Sequence, residues 1–139
     1  MRIPISLAFC AASVLLAGPS AAQVMLTTTD LRVRLDGRGQ VASLINPARG
    51  SEYLAAGQPA PLLQIRIGAR VESPAAMTWD AAAGLATLRF EPSGTRMQIR
   101  AVARPSHLTL SITGVDPVGT VDAVTWGPYP ITIGETIGE

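Results

Sequence analysis

Lysine is absent from these 139 residues, histidine and cysteine occur once each, and aromatic residues make up 4%. The missing lysine excludes Schiff-base chemistry of the lysine type. The one cysteine, Cys10, lies inside an apolar leader, so the rest of the chain has neither a disulfide nor a thiol to react. Exported chains often lean on disulfides; this one must rely on its apolar core. One histidine and no cysteine beyond the leader leave no zinc set. Charge is sparse as well. The 11 basic residues are all arginine, and without Arg2 they balance the 10 acidic ones. Neither nucleic acid nor a charged membrane surface is therefore expected as a partner.

The leader itself is well defined. Arg2 forms a positive start, Ile3 to Gly18 an apolar run, and Pro19-Ser20-Ala21-Ala22 a small-residue cleavage site after Ala22. The run is shorter than the ~20 apolar residues of a membrane span. Phe9 before Cys10 does not fit a lipoprotein site. The reading is a cleaved signal over 1–22, export to the periplasm or beyond, and no membrane span after cleavage. Residues 23–139 then suit a single domain, since sandwiches of about 100 residues are ordinary.

Period-two alternation runs through that domain. Leu31, Val33 and Leu35 oppose Arg32 and Arg34; Asp36-Gly37-Arg38-Gly39 turns the chain, and Gln40 to Ile45 completes a hairpin. Asn46-Pro47 opens the next turn. Ser51 to Pro61 reads as a loop. Leu63 to Val71 reads as one long strand ended by Ser73-Pro74, and Met77 to Asp80 as a short one. Ala81-Ala82-Ala83-Gly84 is too short to hold a helix and reads as a turn. Leu85 to Phe90, Met97 to Ala103, Leu108 to Thr113 and Val121 to Trp126 follow as strands, with Gly114 to Gly119 a loop. The outward positions are rich in arginine. The fold expected is an all-β antiparallel sandwich. Its low aromatic content and small side chains suggest a further sheet or domain packed against it.

Chemistry-bearing residues are few. His107 follows Pro105-Ser106 at a strand start, a surface position. A Ser-His-Asp triad lacks its nucleophile elbow, because Pro92-Ser93-Gly94 has no glycine two positions earlier. Asp36, Asp116 and Asp122 are too scattered for a calcium loop. Gly37-Arg38-Gly39 lacks the third glycine and the strand-to-helix setting of a dinucleotide site. Glu135 and Glu139 stand ~13 Å apart in an extended strand, whereas paired glycosidase carboxylates need ~5–9.5 Å. No cofactor, metal or catalytic residue is expected. Trp79 reads as core. Trp126, Tyr129 and Tyr53 remain as aromatic faces able to stack on sugar rings.

The run Leu31-Arg32-Val33-Arg34-Leu35-Asp36-Gly37-Arg38-Gly39-Gln40-Val41-Ala42-Ser43-Leu44, with Gly50-Ser51-Glu52-Tyr53-Leu54, resembles the first hairpin of galactose-mutarotase-like supersandwich domains. The closing Trp126-Gly127-Pro128-Tyr129-Pro130 to Gly138-Glu139 resembles a segment within such domains, which stand before the catalytic barrel of large exported glycoside hydrolases. The resemblance implies a sugar-associated, non-catalytic N-terminal module whose partners are carbohydrate and a downstream domain of the same polypeptide. It transfers no catalytic residue. Two other readings stand beside it. One is a self-contained glycan-binding module using Trp126, Tyr129 and Tyr53. The other is an envelope protein pairing through a strand edge at Ile131 to Ile137.

Overall fold

The computed structural model describes residues 23–133. The leader lies outside the described residues, as do Glu135, Ile137 and Glu139. The described residues form eleven strands: β1 (Val24–Thr27), β2 (Arg32–Leu35), β3 (Val41–Asn46), β4 (Ser51–Glu52), β5 (Leu63–Ile67), β6 (Arg70–Glu72), β7 (Pro74–Asp80), β8 (Leu85–Phe90), β9 (Arg96–Ala103), β10 (Leu108–Asp116) and β11 (Ala123–Trp126). They make three antiparallel sheets, ordered β1-β2-β3-β4, β10-β9-β8-β7 and β11-β5-β6. The fold is the all-β antiparallel sandwich that the alternation implies.

Alternate residues of each sheet meet in one core. Val24, Leu26, Val33, Leu35 and Val41 come from the first sheet, Leu63 and Ile65 from the third, and Leu88, Phe90, Met97 and Ile99 from the second. Trp79 is half-buried and packs against that core from β7. The β2–β3 turn enters it directly. Asp36 Oδ1 accepts the backbone N–H of Arg38 (2.8 Å) and of Gln40 (2.9 Å), closing the turn. Gly39, at φ 74°, is buried so tightly that a Cβ would stand 2.7 Å from Leu88 Cδ2 and 3.0 Å from Pro74 Cβ. Only glycine suits that position.

The single strand expected over Leu63 to Val71 is two. Gly68, at φ 61°, turns the chain at its middle, and Ile67 pairs with Arg70 across the turn. Asp122 stabilises this from the β11 side: its carboxylate accepts the Gly68 N–H at 2.6 Å, and its own N–H donates to Arg66 O at 2.9 Å. The turn reverses the parity of β6. Glu72 now lies opposite Ile65 on the inward face, and Val71 opposite Arg66 points out. Glu72 is 3% exposed, whereas Val71 is 57% exposed.

Two further boundaries shift. Pro74 opens β7 instead of ending a strand, a position where a missing N–H is tolerated. β10 continues to Asp116 through a bulge between Ile112 and Gly114, so the loop expected from Gly114 starts later.

Candidate functional site

The β11 strand and the segment after it carry the aromatic candidates. Trp126 ends β11 opposite Leu63 of β5, so the strand register aims it toward the inward side of its sheet. It sits at the end of an edge strand, and 40% of its surface remains exposed.

Gly127 then reverses the chain at φ 85°, followed by a cis bond to Pro128. A Cβ on Gly127 would meet Tyr129 N at 2.9 Å and the Tyr129 ring at 3.4 Å. The missing side chain lets the ring fold back over the turn. Both ends of this fold-back reach one acceptor: the Leu62 carbonyl receives the Gly127 N–H at 3.2 Å and the Tyr129 hydroxyl at 2.6 Å. Tyr129 is thereby pinned inward while 38% of its surface stays exposed. Burial pushes its phenol above the ordinary tyrosine range, against a smaller lowering effect of the Gly127 backbone.

Inward from Tyr129 lies an apolar cleft of about 190 Å³. Leu31 just before β2, Val33 of β2, Val41 and Leu44 of β3, and Leu108 and Leu110 of β10 line it. Tyr129 and Leu62 complete the wall.

Beyond Tyr129 the chain pairs with the segment after β4. Pro130 O accepts the Ala55 N–H at 2.7 Å, Leu54 bridges Ile131, and Thr132 N–H donates to Tyr53 O at 2.8 Å. Tyr53 is half-buried, so the structure brings it to the backbone of the same segment that carries Tyr129. Trp126 and Tyr129 flank the Gly127-Pro128 turn, about equally exposed, and Tyr129 alone is anchored by a side-chain hydrogen bond. Ile131 and Ile133 continue the segment, each about half exposed. Trp126, Tyr129, Ile131 and Ile133 thus leave an exposed apolar run, a ledge, along this one segment.

The ionisable candidates serve their own turns. Asp36 and Asp122 accept the turn N–H groups described above, and Asp80 Oδ1 does the same for Ala82 and Ala83. His107 is exposed, with Nδ1 2.9 Å from Ser106 Oγ. Glu52 accepts from Ser43 Oγ at 2.5 Å and from the N–H groups of Leu44 and Leu54. Burial raises its pKa, but these bonds outweigh that and hold it below the ordinary glutamate value. Glu72 behaves likewise: burial raises it, while Ser93 and Arg70 lower it further. Among the described residues, no three of His, Cys, Asp or Glu gather as a metal site. No described helix is long and apolar enough to cross a membrane.

No protein-family model, curated protein or solved structure matches this chain. The site is therefore read from its own chemistry. Sequence reasoning missed Leu62 as the shared acceptor and Leu108 and Leu110 as part of the cleft lining. The available signal was the Trp-Gly-Pro-Tyr run, whose glycine requires something to fold over it.

Proposed function

We propose that this chain is a non-catalytic β-sandwich module of an exported carbohydrate-active protein, with the Trp126–Tyr129 ledge as its sugar-contacting surface. The observation that carries this is the pairing of an open indole with an anchored phenol across one turn. An indole face of that exposure offers apolar area to the flat side of a pyranose, and the anchored turn limits the entropy lost on binding. The class of ligand rests on the resemblance of the opening hairpin and closing segment to supersandwich modules. Ile131 and Ile133 extend the ledge toward the chain end, where the next domain of the polypeptide packs in this reading.

The two best-bonded glutamates, Glu52 and Glu72, have lowered pKa values, the opposite of what a general acid requires. The test is retardation of the full chain in gels cast with a panel of polysaccharides, together with a reducing-end assay. The expected result is retardation by at least one polymer without new reducing ends, weakened about tenfold by Trp126→Ala, equivalent to about 1.4 kcal/mol. Release of reducing ends by the chain alone, or the absence of any polymer whose binding Trp126→Ala weakens, overturns the proposal.

A further inference from the structure

The outward side of the β10-β9-β8-β7 sheet carries a second feature, remote in the topology from β11. Register puts Ala76, Arg89, Arg96 and Asp116 on one rung, and Thr78, Thr87, Gln98 and Gly114 on the next. The second rung is uncharged and, apart from Gln98, built of small side chains, leaving a trough beside the arginine rung across the four strands. At a strand spacing of ~4.8 Å, that crossing is about 14 Å long. Two depressions open along it, of about 300 Å³ and about 420 Å³, and both are lined by Thr87 and Arg96. Arg100, one rung further along β9, bounds the other side.

The charges here are not internally balanced. Glu91 holds Arg89 at 3.0 Å, but Arg96 and Arg100 have no ion pair among the described residues. Asp116 faces Arg96 in register without closing one. Arg89 and Arg96 are direct cross-strand neighbours, a like-charge juxtaposition that disfavours the empty sheet. The floor is equally unspent. The hydroxyls of Thr78 and Thr87 and the Gln98 amide have no intramolecular partner among the hydrogen bonds of the described residues. Gly114 keeps the trough open, since a Cβ there would press on Gln98 Oε1 at 3.1 Å.

We infer that this trough binds an acidic polysaccharide, with Arg96 and Arg100 holding its carboxylate or sulfate groups and the Thr-Gln floor taking its hydroxyls. Guanidinium groups match such anions in a planar, two-point geometry. A groove running across the sheet admits a polymer rather than a capped small molecule. The rungs of Arg96, Gln98 and Arg100 carry no aromatic side chain for stacking bases, the platform that single-stranded nucleic acids use. The inference takes its polymer class from the module reading above but places the ligand on a different sheet from Trp126.

The experiment is affinity electrophoresis of the full chain in polygalacturonate, dextran sulfate and neutral dextran, with single-stranded DNA as competitor. Retardation by polygalacturonate or dextran sulfate but not dextran is expected, and the two acidic polymers separate a carboxylate ligand from a sulfate. Arg96→Ala should weaken it at least tenfold. Gly114→Leu, which fills the trough at unchanged charge, should do the same, whereas Arg49→Ala in the β3–β4 turn should not. Equal weakening by Arg49→Ala, indifference to Arg96→Ala, or efficient competition by DNA overturns the inference. Binding lost on Trp126→Ala but intact in Arg96→Ala overturns it while sparing the module reading; no retention by any glycan overturns both.

Discussion

The Tyr129 hydroxyl donates to the Leu62 carbonyl at 2.6 Å, joining residues 67 positions apart in the chain. This bond holds the segment after β11 against the lead-in to β5, and so sets the angle at which the Trp126 ledge stands. Tyr129→Phe keeps the ring over Gly127 and deletes only the bond. The expected loss is about 0.5–1.5 kcal/mol, measured by urea unfolding, since Leu62 O retains the Gly127 N–H. Trp126→Ala, which removes no side-chain hydrogen bond, should change stability less than Tyr129→Ala does.

The same phenol makes an alkaline prediction. Its folded pKa is raised, mainly by burial. Its contribution to stability is therefore complete below the unfolded value of about 10 and is lost as pH rises through the folded one. The phenolate absorbance difference between the wild type and Tyr129→Phe should titrate above that unfolded value. A titration at or below it contradicts the burial argument.

Glu72 makes the acid prediction. It is the buried carboxylate of the third sheet, accepting from Ser93 Oγ at 2.6 Å and Arg70 Nε at 2.7 Å. Its folded pKa is lowered despite burial, as is that of Glu52. The stability they contribute is present above the unfolded value of about 4.3 and is lost as pH falls through the folded values. Glu72→Gln should destabilise by about 1–3 kcal/mol at pH 7, because its amide turns a donor toward existing donors. The gap to wild type should narrow on acidification, and a gap constant down to strongly acid pH contradicts this account.

Gly39 tests the packing between the β2–β3 turn and the second sheet. Gly39→Ala combines a positive φ with a Cβ 2.7 Å from Leu88 Cδ2. The left-handed conformation costs about 1–2 kcal/mol and overpacking about 1–3 more. Gly50→Ala, at φ 67° with open space around it, should show only the first cost. Equal melting temperatures for the two variants contradict the packing argument.

How much of this was legible in the sequence depended on how local the cause was. The β2–β3 hairpin was readable because its turn chemistry, Asp36 with Gly37 and Gly39, sits within five residues. Leu63 to Val71 was misread because its alternation continues unbroken through Gly68, and periodicity cannot see a turn that reverses parity. The deciding partner is Asp122, which reaches Gly68 from 54 residues away. Glu72 was hidden for the same reason, since its burial follows from that turn and from Ser93. Among the candidates, Trp126, Tyr129 and Tyr53 were visible as aromatics in a chain that has few, but Tyr129's orientation depends on Leu62. The arginine alternation of β9 was visible too; that Arg89 and Thr87 of β8 complete a trough with it requires the cross-strand register.

The most direct test of the sugar-contacting ledge is tryptophan fluorescence of the Trp79→Phe variant, in which Trp126 is the sole indole. Titration with a polysaccharide whose retardation Trp126→Ala weakens should shift its emission and protect it from a soluble quencher. Unchanged Trp126 fluorescence and quenching on titration with that polysaccharide would contradict the account.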